Sequence, residues 1–437
     1  MSDTGVPLSP AAASQSTGAR SGNNPPFVLG MLCFVYVLNF LDRQLLSILA
    51  KPIQDALQIS DGQLGLISGL YFAMFYCFIA IPVGWFADRT SRVGVLSLAC
   101  AIWSGATVAC GMATNYGQLV AARMAVGFGE AGGVPPSYAI ITDTYPPGKR
   151  AAALGIFNLG PAIGAAAGVA FGAAIAQQFG WRIPFIVVGA IGIVTALVVW
   201  LTVREPARGA TDIAGTAAGD DKAAFWPTVR MFVSNPVLML AALGGGATQF
   251  VTYGLGNFAV LFLMREKGME LGEVAIWYAL VLLVGMGGGM VASGRVIDRM
   301  VRKSRAGYAT APALSLAVAM PFYLAFIWAP GWPLALALLT VVMTFNYFYL
   351  SASVALVQEE VRPNQRVLAG ALLLLIMNFI GLGLGPTWVG FASDWFQSQG
   401  DGHGLQSALY TLTPFYIIAI ALFLGLAGLL RRQEASV

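Results

Sequence analysis

Gly84-Trp85-Phe86-Ala87-Asp88-Arg89, closing one long apolar stretch, returns as Gly294-Arg295-Val296-Ile297-Asp298-Arg299 at the close of another. The copies stand about 210 positions apart, a spacing that points to an internal repeat. A second pair supports it: Pro147-Gly148-Lys149-Arg150 matches Pro363-Asn364-Gln365-Arg366, and Gly160-Pro161 and Gly385-Pro386 follow them. Similar offsets at separate places imply two halves of like build.

What surrounds these copies decides their environment. Hydrophobic residues make up 57% of the 437 and charged residues only 10%, against roughly 25% charged in soluble domains. The apolar residues gather in stretches of about 20 or more, enough to cross a bilayer core as helix. Windows of about 19 residues predict spans over 27–50, 62–87, 92–113, 117–142, 150–177, 183–203, 236–264, 271–297, 307–329, 332–358, 366–396 and 405–430. The expected fold is therefore an all-α membrane protein of twelve transmembrane helices in two pseudo-symmetric six-helix bundles, 27–203 and 236–430. Residues 204–235 form a cytoplasmic linker, and 431–437 a short cytoplasmic tail.

Basic residues set the orientation. Of the 24 Lys and Arg residues, only Lys51, Arg182, Arg265 and Lys267 fall in loops on the side away from the termini, and Arg43 and Arg123 lie within spans. The rest flank the termini side, so the positive-inside rule places both termini in the cytoplasm. Residues 1–26, rich in Ser, Ala, Gly and Pro, lack the charged start and apolar core of a signal peptide and read as a disordered tail. The expected location is a bacterial inner (plasma) membrane. Cys33, Cys77, Cys100 and Cys110 all sit in apolar stretches and read as buried hydrophobes rather than disulfide partners. The net charge of +4 comes from short dispersed runs, which serve topology and not nucleic acid.

With these residues in view, G-x-x-x-D-R between spans 2 and 3, followed by Arg92, resembles the signature loop of the major facilitator superfamily. A finer resemblance lies in Asn39-Phe40-Leu41-Asp42-Arg43, in Arg123 to Gly133 with its Gly127-Phe128-Gly129-Glu130-Ala131 core, and in Pro135-Pro136-Ser137 with Pro146-Pro147. Together these are similar to spinster-type transporters, whose animal members move lysophospholipids and sphingosine phosphate. The same span 1 and span 4 motifs also resemble symporters of sugar acids and other organic anions.

Ionisable groups inside hydrocarbon are costly and usually face a cavity with a partner. Here they are Asp42, Arg43, Arg123 and Glu130. Counted from opposite faces at 1.5 Å per residue, Asp42 lies about 22 Å in and Arg123 about 9 Å in, nearly the same depth of a slab roughly 30 Å thick. Glu130 shares a helix face with Arg123, two turns on. In the fold that the resemblance implies, spans 1 and 4 both border the central cavity, which puts Asp42 within reach of Arg123. Burial favours the neutral carboxyl and a neighbouring arginine the charged one, so Asp42 and Glu130 are candidate proton carriers. Static ion pairs, Arg43 with Asp42 and Arg123 with Glu130, are the competing reading.

The signature loops supply candidate gating residues: Asp88, Arg89, Arg92 and Arg150 in the first half, and Asp298, Arg299 and Arg366 in the second. The resemblance implies that such contacts hold the inner gate shut; a purely topological role is the alternative. Pro135-Pro136, Gly160-Pro161 and Gly385-Pro386 interrupt spans 4, 5 and 11, where lost backbone bonds allow kinks. Gly285-Met286-Gly287-Gly288-Gly289 lacks the strand-to-helix setting of a phosphate loop and reads as helix packing.

The second half has no deep charge; its candidate lining is Gln249, Tyr253, Asn257, Asn346, Tyr347 and Asn378. Arginines on one wall and aromatic or apolar groups on the other suit an amphiphile whose head group sits near Arg43, Arg123 and Glu130. An enzyme lacks its parts, for the one histidine, His403, lies in a loop and no nucleophile elbow or metal pattern is present. A pump lacks a nucleotide loop. The reading is a secondary transporter of a lipid-like substrate, proton-coupled, working by alternating access as a monomer in the lipid bilayer. No cofactor, metal or nucleic acid is expected, and a sugar-acid symporter is the alternative.

Overall fold

A computed structural model describes residues 24–87, 89–207, 225–362 and 365–435. Asp88, most of the 1–26 tail, the middle of the 204–235 linker and Pro363-Asn364 lie outside the described residues. Most of those described are helical, with no strand among them.

Eleven helices among them are long and apolar enough to cross a membrane: Pro25–Ile48, Asp61–Gly84, Arg92–Met112, Gly148–Phe179, Arg182–Thr202, Pro236–Lys267, Leu271–Val301, Gly307–Trp328, Trp332–Glu360, Arg366–Ser398 and Gly404–Ala435. These are spans 1 to 3 and 5 to 12. Span 4 is Tyr116–Glu130 continued by Val134–Thr144. Pro135 and Pro136 have no N–H to donate to the preceding turn, so the first helix stops and a second begins with proline in its first turn. Span 5 breaks similarly between Phe157 and Gly160-Pro161. In span 11 the helix widens over Phe379–Leu384 just before Gly385-Pro386. Span 8 widens over Val274–Tyr278 and again over Leu282–Gly287, where its glycine run packs against span 10.

Packing repeats from half to half. In the first, span 3 lies along span 6, span 1 along span 5, and span 4 against span 3. In the second, span 9 lies along span 12, span 7 along span 11, and span 10 against span 9. Between the halves, span 2 meets span 11 and span 5 meets span 8, again a symmetric pair of contacts. Spans 1, 7, 8 and 10 line the space left in the middle, joined there by residues of spans 2, 4 and 11.

Charges at the termini end obey the same symmetry. Glu205, just past span 6, accepts from Ser91 Oγ at 2.7 Å and from the backbone N–H of Arg92 and Val93 at 3.0 and 2.9 Å, capping span 3. Glu434, at the end of span 12, accepts from Ser304 Oγ at 2.7 Å and from the Arg305 N–H ahead of span 9. Arg92 pairs with Asp143 of span 4, and Arg305 with Glu360 of span 10. A carboxylate at a helix N-terminus is favoured by the helix dipole and the free N–H groups, so each half ties its last span to its third by the same physics.

Candidate functional site

Successive residues on a helix point about 100° apart, so Asp42 and Arg43 leave span 1 in different directions. Arg43 Nε donates to Glu130 Oε2 at 2.6 Å. Asp42 Oδ2 stands 4.0 Å from Arg123 Nη1. The pairs are thus crossed between spans 1 and 4: Asp42 stands beside Arg123, as the resemblance implied, and neither static pair of the competing reading, Asp42 with Arg43 or Arg123 with Glu130, is formed. Gly127 lies between Arg123 and Glu130 where span 4 presses on span 2; a Cβ there would stand 2.6 Å from the Phe72 carbonyl oxygen. That close approach seats the Phe72 ring between the two arginines, 5.1 Å from the Arg43 guanidinium carbon and 5.2 Å from that of Arg123. Phe40 and Tyr76 also face Arg43, at 5.2 and 4.7 Å.

The buried acidic and basic residues among those described are Asp42, Asp61, Arg123 and Glu130, all in the first half. The charges of the cluster balance, yet its hydrogen bonding is incomplete. Both Asp42 carboxylate oxygens, Arg123 Nε and Nη1, and Glu130 Oε1 are buried without a hydrogen-bond partner. Buried polar groups are rarely left so; the neutral side chains nearest these carboxylates are Thr107 beside Asp42 and Asn39 beside Glu130.

A small cavity of about 60 Å³ opens beside it, with polar and apolar groups both on its walls. Arg43, Arg123, Phe40 and Phe72 form its first-half wall; Tyr253, Asn257, Tyr278, Leu282, Met286, Met343 and Tyr347 form the wall opposite. Tyr253 and Tyr347, expected in the lining, are there, as is Asn257, which accepts from Ser47 Oγ across the halves at 2.9 Å. Gln249, Asn346 and Asn378 are not on the cavity wall. Asn346 is fully buried and accepts from Tyr416 OH at 3.0 Å, Gln249 is buried where span 7 packs on Gly381, and Asn378 is half-buried. A polar residue in an apolar helix carries the same sequence signal whether it faces a cavity or a neighbouring helix.

Sequence reading missed the contact that closes the end away from the termini. Asp61 opens span 2 and is 3% exposed. Arg265 of span 7 holds its carboxylate with two nitrogens, Nη1 to Oδ2 at 2.8 Å and Nη2 to Oδ1 at 3.0 Å. Gln54, Ser393 and Gln397 donate to the same carboxylate at 2.6, 2.6 and 3.0 Å. Asp394 of span 11 caps span 2, accepting from the N–H of Asp61 and Gly62 at 3.0 and 2.9 Å. Below them the backbones touch: a Cβ on Gly65 would stand 2.5 Å from the Pro386 carbonyl oxygen. Both charges sit at span ends, where charge is unremarkable, so only Ser60-Asp61-Gly62-Gln63, a capping box, signalled anything in the sequence.

At the termini end, Arg92 binds Asp143 and Arg150 Nε donates to the Tyr145 carbonyl at 2.9 Å. Arg89, Asp298, Arg299 and Arg366 are exposed. Asp88 lies outside the described residues.

Two six-helix halves around a charged central cavity, closed at one end by cross-half contacts, have the build of a polytopic membrane transporter. The Major Facilitator Superfamily profile matches residues 32–386, and the chain belongs to that superfamily. It is 30% identical over 410 residues to an MFS-type efflux pump of Mycolicibacterium smegmatis, covering 93% of each chain. To protein spinster homolog 1 of Bos taurus it is 26% identical over 406 residues, 86% of this chain and 74% of that one. A hexuronate transporter of Bacillus subtilis is 24% identical over 372 residues, 84% and 87% of the two chains. Among solved structures, a bacterial homolog of the human lysosomal transporter spinster, inward-facing and unoccupied, superposes with a TM-score of 0.85 at 31% identity, covering 93% of this chain and 98% of that one. The chain is a spinster-like member of the superfamily.

Proposed function

We propose that this transporter moves a single-chain anionic amphiphile of the lysophospholipid or sphingosine phosphate class, coupled to protons. The observation that carries the reading is the uneven charge of the cavity walls: both guanidiniums stand on the first-half wall, beside Phe40 and Phe72, while the second-half wall of tyrosine, leucine and methionine with Thr252 and Asn257 carries none. A phosphate-type head group pairs with Arg43 and Arg123, and a hydrocarbon tail lies against Tyr253, Leu282, Met286 and Tyr347. A compact polyanion would be served better by cations on both walls.

Coupling follows from electrostatics. A head group that takes Arg43 and Arg123 leaves Glu130 and Asp42 without their cations, and an unpaired carboxylate in a low-dielectric interior is costly. Protonation removes that cost, so the carboxylates gain a proton when the arginines gain a substrate. The halves then rock with no uncompensated charge. Positive-inside topology puts the termini in the cytoplasm and the Asp61–Arg265 closure on the outer face, with the interior addressed from within. The signature-loop residues, Asp88, Arg89, Arg92 and Arg150 with Asp298, Arg299 and Arg366, act as the inner gate in the opposite state.

The hexuronate relative favours the second reading, a sugar-acid symporter using the same arginines. Uptake into proteoliposomes, competed by lysophospholipids and by a panel of sugar acids, separates the two. Inhibition by the lipids alone supports the first reading, and inhibition by the sugar acids alone replaces it with the second.

A further inference from the structure

Ser47 of span 1 and Asn257 of span 7 stand 210 positions apart, the spacing that separates the two G-x-x-x-D-R copies. They therefore hold matching places in the two halves, and matching residues of repeats related by an axis along the membrane normal can touch only close to that axis. These two do touch: Ser47 Oγ donates to Asn257 Oδ1 at 2.9 Å, a side-chain link between the halves on the wall of the central cavity. Asn257 Nδ2 donates to the Tyr253 carbonyl of its own helix at 2.9 Å, which fixes the amide with its oxygen towards Ser47. Ser47 is 6% exposed and Asn257 half-buried.

Two neighbours give this link a place in the transport cycle. Arg43 lies one turn before Ser47 on the same face of span 1 and lines the same cavity. Residues at that spacing have Cβ atoms about 5–6 Å apart, so an anion held by Arg43 is within reach of the Ser47 hydroxyl. Arg265, which grips Asp61 in the closed end, lies about two turns beyond Asn257, roughly 12 Å further along span 7. The link thus stands between the head-group site and the closure, where spans 1 and 7 pack on each other.

A serine hydroxyl has a single proton to donate. Here it goes to a neutral amide oxygen. A phosphate or carboxylate oxygen is the better acceptor, its charge-assisted hydrogen bond being roughly twice as strong. We infer that Ser47 and Asn257 form a latch that the substrate opens: the anionic head group on Arg43 draws the Ser47 hydroxyl away from Asn257, and spans 1 and 7, freed of their link on the axis, part on the cavity side of the Asp61–Arg265 closure. Ser47 is then a binding residue, and Asn257 a positioning residue that acts through it. The exchange makes opening depend on cargo, since a hydrocarbon tail without an anion leaves the latch closed.

The inference rests on an anionic head group at Arg43, as proposed above, and the test tells the two apart. Equilibrium binding of radiolabelled sphingosine phosphate and, separately, of radiolabelled glucuronate is measured on the purified full chain. Ser47→Ala and Asn257→Ala break the same hydrogen bond but are expected to move affinity in opposite directions. Ser47→Ala removes the donor that the head group gains and binds about fivefold more weakly, whereas Asn257→Ala removes the competing acceptor and binds about fivefold more tightly. Ser47→Thr, which keeps the hydroxyl, restores the wild-type affinity. A merely structural link shifts both alanine variants the same way or neither, and either result in folded protein would overturn the latch. If Ser47→Ala does not fold, Asn257→Ala decides alone: tighter binding supports the latch, and unchanged or weaker binding overturns it. Opposed shifts with glucuronate only would keep the latch and replace the lipid reading. A wild-type protein that binds neither probe would overturn the head-group site, and the latch with it.

Discussion

Arg43 and Glu130 lie 87 positions apart on spans 1 and 4 and meet at 2.6 Å, Arg43 with its side chain 13% exposed and Glu130 with none. The adjacent residue Asp42 turns away to Arg123. Each span therefore contributes one cation and one anion, and each ion pair holds the two spans together. Removing one member strands its partner in the interior, which costs about 3–5 kcal/mol.

Arg43→Gln is accordingly expected to lower thermal stability in detergent and to abolish transport. Adding Glu130→Gln removes the stranded charge and recovers most of the stability but none of the transport. Differential scanning fluorimetry with flux measurements checks this; recovery of both properties in the double variant would make the pair structural only.

Asp42→Asn is expected to fold and to remove the pH dependence of transport, since an amide fills the same space without a titrating proton. Flux in proteoliposomes across a pH series reads the effect. An unchanged profile retires Asp42 as a proton carrier and leaves Glu130 alone in that role.

Much of this cluster was legible before the structure. Four ionisable residues in apolar stretches are conspicuous because hydrocarbon makes them costly, and the G-x-x-x-D-R copies with the Gly-Pro pairs announced two halves. The partners were legible in part: the depths of spans 1 and 4 and the family resemblance brought Asp42 near Arg123, but the Arg43–Glu130 pair was not foreseen, because helical rotation sends adjacent Asp42 and Arg43 to different neighbours. Tyr253 and Tyr347 were found among the polar residues of the second half, but Asn346 carried an identical signal and serves packing. Asp61 and Arg265 escaped because a charge at a helix end needs no explanation, and their meeting depends on how the two halves sit together.

Asp61→Asn weakens the two-nitrogen grip of Arg265 and is expected to open the end away from the termini, the outer one in the proposed orientation. Gly65→Ala should act the same way without touching a charge, because its methyl group meets the Pro386 carbonyl. With Ser47→Cys in the cavity as reporter, labelling by a membrane-impermeant maleimide from outside is expected to speed up about fivefold or more in either background. Equal rates would show that this closure does not control access.

His403, exposed in the loop before span 12, has Nδ1 2.5 Å from Glu266 Oε2. That hydrogen bond and the carboxylate charge raise its pKa from the ordinary 6.5. A raised folded-state value stabilises the protein fully below the unfolded pKa of about 6.5 and is lost as pH rises through the folded one. His403→Gln should therefore destabilise the protein at pH 5.5 and have no effect at pH 9, as read by melting temperature. A difference that persists at pH 9 would assign the contact to packing.

Binding of a homologous series of single-chain phosphate amphiphiles, from the bare head group to a long acyl chain, tests the divided cavity most directly. Each buried methylene is worth about 0.8 kcal/mol, or roughly fourfold in affinity. Affinity in wild-type protein is expected to climb by about that factor per methylene until the second-half wall is covered, and Arg123→Gln should lower the whole series by a constant factor. Head groups that bind as tightly without a tail, or a series indifferent to Arg123, would contradict the assignment of head and tail to the two walls.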